Sequence, residues 1–199
     1  MRRLRQAPPA GRDRQRTEGV ERPAAASITP LNAALRMLAR RAYSVAEIRQ
    51  ALEKKGYARE PVAAAIARLR EIGYLDDKKF AEQFAYSLTQ NRALGPHRVR
   101  RELKSRKVDF KFIEPAVERA FQDVPARTLL EQALDKKLRT IRLPLTRSRF
   151  HSLCQSLLRR GFNSGDIIKA VRARTELAPV AEDVEPLDLE APDEETGSA

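Results

Sequence analysis

Apolar residues return every three to four positions through most of the chain, with charged and amide side chains between them, so the elements are predicted to be amphipathic helices. Strand-type alternation is weak, and Val, Ile and Thr are outnumbered by the helix-favouring Ala, Leu, Arg, Glu and Lys. The pattern also repeats. Residues 44–69, "SVAEIRQALEKKGYAREPVAAAIARL", fall into register with 95–120, "GPHRVRRELKSRKVDFKFIEPAVERA", and with 149–174, "RFHSLCQSLLRRGFNSGDIIKAVRAR". Four apolar columns agree in all three copies: Ile48, Val99 and Leu153; Leu52, Leu103 and Leu157; Val62, Ile113 and Ile167; Ile66, Val117 and Val171. Agreement at this depth marks a tandem repeat of a small helical unit.

Each copy predicts two helices joined by a short turn, preceded by a further helix over residues 30–41, 77–92 and 127–142. Ser44 with Glu47 spells a capping box, and Pro30, Pro61 and Pro96 suit first helical positions. Gly56 and Gly161 stand where the second helix must stop, each followed by an aromatic; the middle copy has Lys107 there, with Asp109 available to cap the next helix. Between the first two copies, "GYLDD" places Gly73 to close one helix and Asp76 or Asp77 to cap the next. The expected fold is all-α: three tandem three-helix repeats over residues 27–75, 76–123 and 124–177, forming an elongated, curved array. A single unit of this size buries little surface, so neighbours are expected to share contacts. Residues 1–26, rich in Arg, and 178–199, acidic, have too little periodic apolar content to offset the entropy of ordering and are expected to be disordered.

Charge changes the picture. The chain carries a formal +12; its last 21 residues hold eight acidic and no basic side chains, and residues 1–26 contribute +4, which leaves +16 on residues 27–178. A folded part this basic favours a polyanion or an acidic protein surface. One cysteine rules out an intramolecular disulfide framework and suits a reducing compartment. No apolar run has membrane-spanning length, so a cytoplasmic protein without membrane contact is expected.

The motifs of common catalytic sites are missing: there is no phosphate-cradling Gly-rich loop, no Cys-x-x-Cys and no His-Glu-x-x-His. His97 and His151 fall on outward helix faces, Cys154 sits beside Leu153 as a structural thiol, and the Asp76–Asp77 pair reads as a helix cap. No active site, metal or cofactor is expected, and the chain reads as a non-enzyme. The basic face of "PHRVRRELKSR" is the stronger feature. With Val99 and Leu103 inward, His97, Arg98, Arg101 and Lys104 turn outward. The other copies carry Gln50 and Lys54, and Gln155 and Arg159, on the same face, while Arg92 and Arg100 extend the patch. Arg92, His97, Arg98, Arg101, Lys104, Lys54 and Arg159 are therefore the candidate binding residues. Tyr86 is a candidate aromatic surface, although its helical spacing from Phe80 and Phe84 favours a core role.

"GYLDDKKFAEQFAYSLTQNRALGPHRVRREL" resembles the signature of the bacterial regulatory protein RecX family: a Gly-Tyr-Leu-Asp-Asp turn, Phe-Ala soon after, and Gly-Pro leading into a basic helix with Glu-Leu. "YSVAEIRQALEKKGY" and the third copy are similar to the same family, so the likeness covers about residues 30–175. It implies a non-enzymatic modulator of the RecA recombinase, lying in the groove of the RecA filament on single- or double-stranded DNA and restraining ATP hydrolysis, strand exchange and LexA cleavage in recombination and the SOS response. A monomer is expected. The rival reading is a general DNA-binding or nucleoid-type protein acting without RecA, since three-helix units with basic second helices also resemble helix-turn-helix modules.

Overall fold

The computed structural model describes residues 28–141 and 145–175, and these are helical with short connections. The expectations of disorder at the two ends lie outside the described residues. Helices run over Pro30–Leu38 (α1), Val45–Lys54 (α2), Arg59–Glu71 (α3), Asp77–Arg92 (α4), Pro96–Ser105 (α5), Phe110–Asp123 (α6), Ala126–Leu138 (α7), Arg147–Arg159 (α8) and Ser164–Thr175 (α9). Helix pairs in substantial contact all fall within the triples α1–α3, α4–α6 and α7–α9.

Each triple buries its own apolar cluster. Ile48, Leu52, Val62 and Ile66 lie in the first, Val99, Leu103, Ile113 and Val117 in the second, and Leu153, Leu157, Ile167 and Val171 in the third. These are the four aligned columns of the sequence, all inward, because a 3.6-residue period keeps positions four apart on one face. Phe121 is shared, packing against both the second and third clusters.

The caps follow local chemistry. Ser44 and Glu47 form the reciprocal capping box of α2, Thr29 and Pro30 start α1, and Gly95 with Pro96 starts α5. Gly56, Gly73 and Gly161 all have positive φ. Lys107 takes that same left-handed conformation (φ 55), and Asp109 then accepts a hydrogen bond from the Lys111 N–H to cap α6. Pro61 is the third residue of α3, not the first; an amide there has no intrahelical partner, so proline costs nothing.

Two first helices end earlier than their periodicity suggests. Beyond Leu38 the chain tightens, Arg40 N–H bonding to the Met37 carbonyl, and the Arg41 guanidinium settles 3.5 Å above the Tyr43 ring. Beyond Leu138 the Thr140 hydroxyl donates to the Lys137 carbonyl and competes with the helical ladder. Tyr86 is corrected too: it is 52% exposed, because it stands two residues from inward-facing Phe84 and Leu88 and so points away from the core.

Candidate functional site

The polar chemistry gathers at the joints between triples and along α5. At the first joint, the buried Ser44 hydroxyl accepts from the Glu47 N–H at 3.1 Å and donates to the Arg106 carbonyl of the second triple at 2.6 Å. Asp76 caps α4 as expected, bonding to the Lys78 and Lys79 amides, whereas Asp77 reaches back to the Val45 N–H at 2.8 Å. The Lys107 ammonium donates to Gln50 at 2.7 Å, and the Arg106 guanidinium lies 5.0 Å from the Phe84 ring centroid.

Glu47 ties this joint together, accepting from the Ser44 N–H, from Arg41 and from Arg106. Burial by itself would raise the Glu47 carboxyl pKa, but the bonds from Arg41, Ser44 and Arg106 outweigh it and hold the value below the ordinary one. A lowered folded-state pKa contributes stability that is present above the unfolded value and is lost as pH falls through the folded one. Glu47→Gln is therefore expected to lower stability at neutral pH, with the difference from the unchanged protein vanishing in acid below the usual carboxylate range. Thermal unfolding of both proteins at several pH values checks this, and a pH-independent difference would show that the charge of Glu47 is not what matters.

The second joint uses the equivalent positions differently. Gly95, in register with Ser44, donates its N–H to the Arg160 carbonyl at 2.8 Å, and Arg160 is in register with Arg106. The His97 N–H bonds to the Gly161 carbonyl at 3.2 Å. The backbones approach so closely that a Cβ on Gly161 would overlap the Arg98 amide, and one on Gly95 would overlap the Gly161 carbonyl. Ala93, Phe121 and Val124 add apolar contact with the third cluster.

The candidate basic residues divide along these lines. His97, Arg101 and Lys104, at i, i+4 and i+7 of α5, are all exposed on one stripe, as are Arg92, Lys54 and Arg159 on their own helices. Among the described residues Arg92, Arg101, Lys104, Lys54 and Arg159 form no ion pair. Arg98 differs: it is half-buried and held by Glu102 at 2.6 Å beside the second joint. Arg100 is likewise paired with Glu114 at 2.8 Å. Chain adjacency places Arg92, His97 and Arg159 around the second joint and Lys54 on the helix that receives Lys107 at the first.

Other titratable groups offer little chemistry. Cys154 is buried, and desolvation pushes its thiol up to about 11, so it has little thiolate character at neutral pH. Among the described residues no group of three or more His, Cys, Asp or Glu is placed to hold a metal ion, and no helix is long and apolar enough to cross a membrane.

Comparison with known proteins gives the family. Residues 31–69 match the model of the first three-helix domain of RecX, and residues 76–117 match that of the second. The regulatory protein RecX of Halorhodospira halophila is 34% identical over 152 residues, spanning 76% of this chain and 92% of that one. The chain belongs to the RecX family. A second RecX protein, from Mycolicibacterium vanbaalenii, is 37% identical over 136 residues, 65% of this chain and 73% of its own. The crystal structure of RecX from Lactobacillus salivarius superposes with a TM-score of 0.64 at 20% identity, covering 75% of this chain and 96% of that chain, and so shares the fold. Membership in RecX assigns the chain a regulatory role.

The two RecX domain matches end before the second joint is complete, since Arg160 and Gly161 lie beyond both. Sequence reading gives the exposed stripe of α5 and the expectation that neighbouring units share contacts, but not the residues of either joint. The signal was present in the repeat register: Ser44 stands over Gly95, and Lys107 over Gly161.

Proposed function

We propose that this protein regulates the RecA recombinase by binding the RecA filament on DNA, with its three helix triples acting as tandem repeats and the exposed stripe of α5 as the main point of contact. The observation that carries the reading is the stripe itself, in a chain of the RecX family: His97, Arg101 and Lys104 are exposed, and neither cation is neutralised by a neighbouring carboxylate. Cations left unpaired beside one another repel, so an acidic or phosphate-bearing partner recovers that energy on binding. Occupancy of the filament then hinders its conformational cycle or the addition of subunits. Such regulation requires tighter binding to one filament state than to another, because equal binding shifts no equilibrium.

The test is a titration into RecA filaments preformed on single-stranded DNA, following ATP hydrolysis, in parallel with naked DNA coated before RecA is added. Inhibition of preformed filaments well below DNA saturation supports filament binding. Inhibition only after coating favours a DNA-binding protein that acts without RecA. Arg101→Glu with Lys104→Glu is expected to weaken filament binding by about tenfold or more at moderate salt while helicity is retained. Arg98 is left intact in this variant because its side chain is already paired with Glu102 and its backbone lies against Gly161.

A further inference from the structure

Repeat register shows that one face receives a following triple twice and, among the described residues, receives none in the third triple. Ser44 and Glu47 at the start of α2, and Gly95 and Arg98 at the start of α5, form the face that receives the following triple. In α8 the same positions are Arg149 and Ser152, and the next turn, where α5 has Glu102, carries Ser156. In the third triple this face opens onto a cavity of about 430 Å³ between the end of α7 and α8, lined by Lys137, Thr140, Ser148, Arg149, Ser152 and Ser156 over the apolar side chains of Ile141 and Leu153.

The lining has two cations, four hydroxyls and no carboxylate. Lys137 is half-buried yet forms no ion pair among the described residues. The Thr140 hydroxyl is used by the Lys137 carbonyl, whereas those of Ser148, Ser152 and Ser156 donate to no group among the described residues. In addition, Ser148 lies in the first turn of α8, whose dipole favours negative charge, although the Arg149 N–H of that turn is already capped by the Thr146 hydroxyl. A second copy docking as the preceding triples do would bring its exposed Lys54–Lys55–Gly56 turn against Lys137 and Arg149, cation against cation.

We propose that this cavity is a phosphate-binding site, taking the phosphate of a nucleotide or of a nucleic-acid backbone. Lys137 supplies charge, and the serine hydroxyls supply donors in the several directions that a tetrahedral oxyanion accepts. The volume is in the range of small-molecule sites, and the half-buried Ile141 gives a sugar or base an apolar edge.

The experiment uses the full chain and three probes at fixed ionic strength: inorganic phosphate, ATP, and a fluorescent oligothymidylate, with acetate as the control anion. Saturable binding of ATP and phosphate identifies a free-nucleotide site, and binding of the oligonucleotide alone identifies a backbone site; either supports the proposal. Lys137→Gln and, separately, Ser152→Asp are expected to weaken the bound probe by about tenfold or more, with helicity and melting temperature unchanged. The Arg101→Glu, Lys104→Glu variant should keep the ATP and phosphate binding. Acetate binding as well as phosphate, no saturable binding of any probe, or full affinity in both cavity variants would overturn it. RecA is not involved, so failure here leaves the filament reading untouched.

Discussion

Gly161→Ala is expected to destabilise the protein by several-fold more free energy than Gly56→Ala, although the two glycines have nearly the same backbone angle, φ 86 and φ 88. Both substitutions force alanine into the left-handed region, which costs about 1 kcal/mol in each case. At Gly56 the added methyl meets open space. At Gly161 it overlaps the Arg98 backbone, which cannot rotate aside as a flexible side chain does, so α5 and the α8–α9 turn must separate. Overpacking of this kind adds about 1–3 kcal/mol, and the Gly95 and His97 hydrogen bonds to Arg160 and Gly161 weaken with it. Urea denaturation of the two variants in parallel isolates the joint, since backbone strain is common to both. Equal losses would mean that contact between the second and third triples contributes nothing to stability.

Ser44→Ala carries the second large effect, about 2–4 kcal/mol. The hydroxyl is fully buried and used twice, capping α2 and satisfying the Arg106 carbonyl. Loss of a cap costs about 1 kcal/mol, and the part-buried Arg106 carbonyl left without its donor costs up to about 1–3 kcal/mol more. Thr29→Ala is the natural comparison, because Thr29 caps α1 by accepting from the Asn32 amide and has no second role across a joint. It should cost only about 1 kcal/mol. If thermal or urea unfolding gave the two variants the same loss, the Ser44 bond to Arg106 would be energetically silent.

The helices and the inward columns were legible because each is dictated within a few residues: period, cap and stop signal. Lys107 shows how far that reasoning extends. The register put it where Gly56 and Gly161 stand, and it adopts their left-handed backbone despite its side chain, with Asp109 restarting the helix. The joints were not legible in the same way. They depend on backbone carbonyls such as those of Arg106 and Arg160, which carry no side-chain signature, and on partners 62 residues away in the case of Ser44. The same limit explains the basic face. Periodicity turned Arg98 outward together with Arg101, but only the three-dimensional proximity of Gly161 and Glu102 separates the paired and packed Arg98 from the exposed, unpaired Arg101.

The two joints also differ in kind. The first is closed by a carboxylate shared between Arg41 and Arg106, by Asp77 on an amide and by Lys107 on Gln50. The second is closed by glycine backbones in contact and by Phe121 lodged between two cores. Ions screen the charged contacts of the first joint, but not its Ser44–Arg106 hydrogen bond, and leave the backbone contact of the second almost untouched. As a mechanical linkage, the chain therefore has two unlike couplings: one in which charged contacts stand beside a single buried hydroxyl bond, and one in which two backbones are in direct contact.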